Sequence, residues 1–193
     1  YPLAYDIFEG NKFEGHTMLP IIDFFKLKYN LKQLVVIADS GLLSNSNINE
    51  LQTKNYEFVL GARIKSESNH IKETILSLNL KNGESQVINR DNLKLIITYS
   101  DDRAKKDKYN REKGLKKLEK QIKTGKLTKS SINNKGYNKY LKLEGEIKVA
   151  IDRTKFDQDA KWDGLKGYIT NTKLTKDEVL ENYQHLWQIE KAF

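Results

Sequence analysis

The chain contains no cysteine in its 193 residues, which removes disulfide frameworks and thiolate metal sites together. It has no run of eighteen apolar residues, so no membrane-spanning helix is encoded. No basic–apolar–small segment reads as a signal peptide. These absences predict a cytoplasmic protein without a membrane partner. Histidine is also scarce: His16, His70 and His185 are too scattered to suggest a metal cluster. No internal repeat is visible.

What is abundant is lysine. The net charge is +8 and the sequence pI about 9.3, a balance that fits a polyanionic partner. Lysine far outnumbers arginine, and asparagine and isoleucine are plentiful. AT-rich coding DNA gives any protein the same mixture, so composition alone does not decide the partner. The length suffices for one sizeable core, or for a core with an inserted subdomain.

The most informative stretch is Gln33 to Gly41, QLVVIADSG. Leu34 to Ala38 run without a polar interruption, which predicts a strand covered on both faces. Asp39 follows at the C-terminal end of that strand, where open α/β sheets build their sites. The plain alternative is an acid that caps the next turn. A second isolated acid ends the chain. Val179, Tyr183, Leu186, Glu190 and Phe193 are spaced by four, three, four and three, so they share one helical face. A carboxylate in an otherwise apolar stripe is costly unless paired or metal-bound. Glu190 is therefore the second acid of interest, with a solvated glutamate on a terminal helix as its plain alternative.

The remaining pattern predicts a strand over residues 3–8, a turn at Gly10-Asn11, and a helix capped by Thr17 that carries Leu19, Ile22, Phe25 and Tyr29. Asn47-x-x-Glu50 resembles a capping box opening a short helix, and residues 56–63 read as a second apolar strand. This β-α-β-α-β order predicts a mixed or parallel sheet. Beyond it lie a short helical pattern, a turn at Asn82-Gly83, a strand over 93–99 and a lysine-rich helix from Ser100 to about Lys123. A mobile loop is expected over 126–139. Strands are expected over 140–143, 147–151 and 165–170, then a helix opened by the capping box Thr175-x-x-Glu178.

Several of these segments together resemble the cut-and-paste DDE transposases of bacterial insertion sequences. PLAYDIFEGNKFEGHTMLP looks like a G-x-P-L segment leading to a Gly-Asn pair. LVVIADSGLLSNSNINEL looks like the second-aspartate block, and WDGLKGYITNT like the Asp-Gly…Thr-Asn strand. YQHLWQIEKAF resembles the Tyr-x2-Arg-x3-Glu-x6-Lys signature. The resemblance implies an RNase H-like mixed α/β sheet flanked by helices, with an inserted α+β segment between the last core strand and the final helix. The expected division is 1–63 for the first part of the core, 64–160 for the insertion and 161–193 for the return.

Carried over residue by residue, Asp39 matches the second catalytic aspartate and Glu190 the catalytic glutamate, both as ligands of Mg²⁺, with Mn²⁺ as the alternative ion. The implied activity is phosphodiester hydrolysis and strand transfer at transposon ends, on double-stranded DNA and in a homodimer. Tyr183 matches the tyrosine that holds DNA near the scissile phosphate. Trp187, Arg103, Lys105, Lys106 and Arg111 are further DNA-contact candidates. Asp163 is read as an Asx-turn residue or as support for the site.

Three departures stand out. Leu186 occupies the signature arginine position, the signature lysine would fall beyond Phe193, and the first catalytic aspartate has no counterpart. Asp6 is rejected for that role, because only one helix fits between it and Asp39. The chain thus reads as a fragment whose first acid lies upstream. A degenerate DNA-binding or dimerising remnant is the alternative; an unrelated RNase H-like nuclease is disfavoured by the long insertion.

Overall fold

The computed structural model describes residues 7, 9, 17–41, 44–90, 92–145 and 148–186. The strand expected over residues 3–8 falls almost wholly outside these, and so does the turn at Gly10-Asn11. The chain divides into two compact units. One comprises Tyr1–Ile75, Ser85–Thr98 and Lys166–Phe193, and the other Leu76–Glu84 with Tyr99–Leu165.

The first unit is built on a five-stranded mixed sheet flanked by helices, compatible with an RNase H-like fold. Its strands are β1 (Val35–Ala38), β2 (Glu57–Ala62), β3 (Ser85–Arg90), β4 (Leu93–Tyr99) and β7 (Leu165–Thr170), in the order β1-β2-β7-β4-β3. β1 and β2 are parallel, with Ala38 beside Leu60, whereas β7 runs antiparallel to β2 and β3 to β4. The strands β3 and β4 thus enter this sheet from within the stretch expected as an insertion. β3 itself, with the polar run Ser85-Gln86 and Asn89-Arg90, gave no strand signal in the sequence.

Alternation along β1 and β2 sends side chains to two cores. Val36, Ala38, Phe58 and Leu60 pack with Met18, Leu19 and Ile22 of α1 (Met18–Lys28) and with Ile48 and Leu51 of α2 (Asn45–Thr53). On the opposite face Val59, Ile96 and Tyr168 meet Val179 of α6 (Lys176–Gln184), and Ile37 packs against the same group. β1 is therefore covered on both faces as expected, apart from Val35, which stays 37 % exposed where the strand begins. Phe58, Val59 and Leu60 are wholly buried, each contributing on the order of 2 kcal/mol of apolar transfer.

Local capping differs from expectation at two helices. Thr17 occupies the position before α1 but makes no side-chain cap bond. α2 is capped by Ser44, whose hydroxyl accepts from Asn47 N at 3.0 Å, so Asn47 lies inside the helix, buried, and not at its cap. The sequence box three residues later misled because asparagine and serine are both good caps. At α6 the expected box forms, with Thr175 and Glu178 exchanging bonds. Before it, Thr170, Asn171 and Thr172 make a polar corner. Asn171 Oδ1 accepts from Phe58 N at 2.8 Å, and its Nδ2 donates to Tyr56 O at 2.9 Å.

The second unit holds the long helix α4 (Asp101–Lys123), capped by Ser100, with the hairpin β5 (Leu141–Glu144) and β6 (Lys148–Ile151) and a short helix α5 (Arg153–Ala160). α5 gave no readable apolar stripe and was not expected. The segment expected as a mobile loop contains two 3-10 turns, Lys129–Ser131 and Gly136–Tyr140. Leu118, Tyr140, Leu141 and Val149 form the core, with Phe156 against it. Tyr140 donates to Asp159, and burial together with that bond holds its phenol well above the usual range.

Candidate active site

The parallel register sets Ala38, the last residue of β1, beside Leu60 of β2, which puts Asp39 and Gly61 one residue past that pair while β2 runs on to Ala62. Asp39 is exposed. Its Oδ1 accepts the Gly41 N–H, an Asx-type bond that turns the chain just after the strand. The turn-capping role foreseen as the plain alternative is thus real. It occupies one carboxylate oxygen.

A second side chain holds the same turn. Arg63, the residue after β2, donates from Nε to Ser40 O at 3.0 Å and from Nη2 to Gly41 O at 3.2 Å. Sequence reasoning missed Arg63. The available signal was its place just past the end of a strand that lies parallel to β1, which brings it to the turn that Asp39 opens.

The third contributor arrives on α6. Because β7 is antiparallel to β2, it carries the chain back to the starting end of β1 and β2. α6 then crosses the sheet face, packing on β1, β2 and β3. By Tyr183 the helix has reached the Asp39 end. A Cβ added at Gly61 would stand 2.7 Å from Tyr183 Oη and 2.9 Å from Ser40 N, so the missing side chain of Gly61 is what lets both approach. The Tyr183 ring meets Tyr168 edge-on at 4.7 Å, and Lys166 Nζ lies 4.5 Å from its centroid. The structure therefore brings Tyr183 close to the residue that follows Asp39.

Glu190 and Trp187 lie outside the described residues, as does Phe193. Among the described residues no three His, Asp or Glu side chains cluster as a metal site. Asp39 is the member of the predicted acid pair whose surroundings are described. As an exposed carboxylate with one oxygen in a turn bond, it suits a hard cation that takes oxygen ligands and keeps several waters.

The basic candidates lie in the second unit, and the structure separates them. Arg111 is buried and grips Asp163 with one Nη, while its guanidinium sits 5.2 Å from the Phe156 ring centroid. Asp163 is thereby an ion-pair partner. Arg103 donates to Leu165 O at 3.3 Å and faces Asp107 at 3.6 Å. Lys105 faces Asp102 at 3.4 Å, and Lys106 is exposed on α4.

The sequence profile of the transposase DDE domain matches residues 1–193. No curated protein and no solved structure matches the chain. A parallel strand ending on Asp39, a final helix returning to that end and a profile match along the full length converge: this chain belongs to the transposase DDE domain family.

Proposed function

We propose that the domain performs divalent-metal-dependent phosphodiester chemistry at transposon ends, with Asp39 and Glu190 as the carboxylates that hold the metal. The observation that carries this reading is the convergence of the Asp39 turn and Tyr183 at one end of the sheet. Glu190 follows Tyr183 by seven residues in the sequence, a spacing that would amount to two turns, or about 10 Å, were the segment helical. Bound there, Mg²⁺ would lower the pKa of a water and offset charge building on the phosphate oxygens.

The chain's own residues supply placement. Arg63 fixes the Ser40 and Gly41 carbonyls, and the Gly41 amide fixes one oxygen of Asp39. Tyr183, braced by Tyr168 and Lys166, positions the DNA strand near that carboxylate. In the first step water adds to the scissile phosphorus and the bond to the 3′-oxygen breaks, leaving a 3′-hydroxyl and a 5′-phosphate. In the second, that hydroxyl adds to a target phosphorus and the target's own 3′-oxygen departs. A homodimer would carry the two transposon ends.

The test uses a transposase carrying this domain and a labelled transposon-end duplex. Asp39→Asn and Glu190→Gln should each abolish Mg²⁺-dependent nicking while leaving duplex affinity within about threefold. Undiminished cleavage by Asp39→Ala would overturn the assignment.

A further inference from the structure

We infer that the outward face of α4 is a docking surface for the sugar-phosphate backbone of duplex DNA, formed by Lys113, Lys116, Lys117, Lys120 and Lys123 with Tyr109 ahead of them. It has the same partner as the reading above but uses none of its residues.

The helix sorts its side chains by face. Arg111, Gly114, Leu115 and Leu118 are buried in the second unit. At 100° per residue, the five lysines fall within about 120° of arc centred opposite that buried stripe. All five are exposed, as is Tyr109. The carboxylates nearest in sequence are engaged elsewhere: Glu112 faces Lys108 at 4.0 Å, and Glu119 accepts from Arg153 at 2.6 Å. Among the described residues none of the five lysines forms an ion pair.

Such an arrangement is unfavourable for the isolated helix. Like charges three and four residues apart repel, and here they recur along the whole stripe. A polyanion laid along it removes the repulsion. From Lys113 to Lys123 the stripe is about 15 Å long, and duplex DNA offers one phosphate charge per roughly 1.7 Å of its axis. Enough phosphate lies within that span for every lysine.

The residue types point to backbone contact and not to base reading. Lysine is a compact point charge without the planar fork that pairs with base edges. They also argue against a membrane surface. An interfacial helix sinks an apolar face into lipid, whereas the apolar face of α4 is already buried in its own unit, and the one large apolar side chain on the outward stripe is Tyr109.

The experiment is fluorescence anisotropy of the chain with a random-sequence 25-base-pair duplex, in EDTA, between 50 and 200 mM salt. Five phosphate contacts predict that this surface contributes a slope of about −4.5 in log affinity against log salt. The variant Lys113→Gln/Lys116→Gln/Lys120→Gln/Lys123→Gln should flatten the slope by about 3 to 4 units, with unchanged circular dichroism. The corresponding four Lys→Arg changes should keep it. Asp39→Asn should also keep it, so this surface and the proposed chemistry can fail separately. A folded glutamine variant within one unit of the wild-type slope would overturn the inference. So would a loss in the arginine variant, or tighter binding to phosphatidylserine vesicles than to the duplex.

Discussion

Gly61 is the point where β2, the turn after Asp39 and Tyr183 meet, and Gly61→Ala tests that junction directly. The new Cβ would stand 2.7 Å from Tyr183 Oη, 2.9 Å from Ser40 N and 3.4 Å from Ser40 Cβ. Two of these approaches are closer than packed carbon atoms tolerate, and one is to backbone. Overpacking of this kind costs about 1–3 kcal/mol. Gly61 does not have a positive φ, so alanine also stiffens the unfolded chain, a gain of about 0.4–1 kcal/mol. Subtracting the second range from the first leaves a loss of roughly 0–2.6 kcal/mol, with about 1.3 kcal/mol at its centre. Urea unfolding followed by circular dichroism measures it, with hydrogen exchange at β1 and α6 showing where it falls. The double variant Gly61→Ala/Tyr183→Phe assigns the clash. Removing the hydroxyl frees the first contact only, so recovery of about half the loss means Tyr183 had moved, and no recovery means the Ser40 backbone had. A Gly61→Ala protein as stable as the parent, with unchanged exchange at both elements, would refute the placement of α6 over the Asp39 turn.

In the second unit, Asp163→Ala leaves the buried Arg111 charge without its partner, which should cost about 3 kcal/mol. The loss should appear as reduced exchange protection along α4 and β5, and a change below about 1 kcal/mol would contradict a buried pair. At the other end of α6, the backbone N–H and hydroxyl of Thr175 hold the Glu178 carboxyl below its usual range. A depressed acid stabilises above its unfolded pKa of about 4.3 and loses that contribution as pH falls through its folded value. Exchange protection in the first turn of α6 should therefore decline below about pH 4, and Thr175→Ala should lower it already at neutral pH. Tyr56 behaves oppositely. Its hydroxyl donates to Asp23 at 2.7 Å and its pKa is pushed up to about 12, so the stability it lends is complete below pH 10 and fades between the two values. Ultraviolet titration should show one tyrosine ionising near that upper value.

Where one periodicity dominated, the sequence was readable. The run Val35–Ala38 is a strand because nothing in it favours another state. β7 matches its expected bounds, and the Thr175–Glu178 box starts α6 where predicted. The β-α-β-α-β order left a mixed or a parallel sheet open, and it is the antiparallel pairings of β7 with β2 and of β3 with β4 that make it mixed. Other elements depend on contacts that a local window does not contain. β3 is half polar and becomes a strand through its full register with β4. α5 has no apolar stripe and rests on the Asp152 cap and on Phe156 packing beside Tyr140. Of the candidate site, Asp39 was legible as an acid closing an apolar strand. Arg63 was not, since its role arises from the parallel neighbour and not from its own surroundings in the chain. Arg111 read as a DNA-contact candidate on a basic helix. Only the fold reveals that it points inward to Asp163.

The corner at Asn171 has a consequence for how sharply sheet passes into helix. β7 leaves the ladder at Thr170, yet the strand beside it keeps both of its next peptide groups satisfied, because one carboxamide supplies an acceptor and a donor where a neighbouring backbone would have stood. Aspartate could take the first role but not the second, and glutamine would reach too far. A single planar amide thus ends the ladder without orphaning a peptide group, and it fixes where the chain departs for the helix whose far end meets the Asp39 turn.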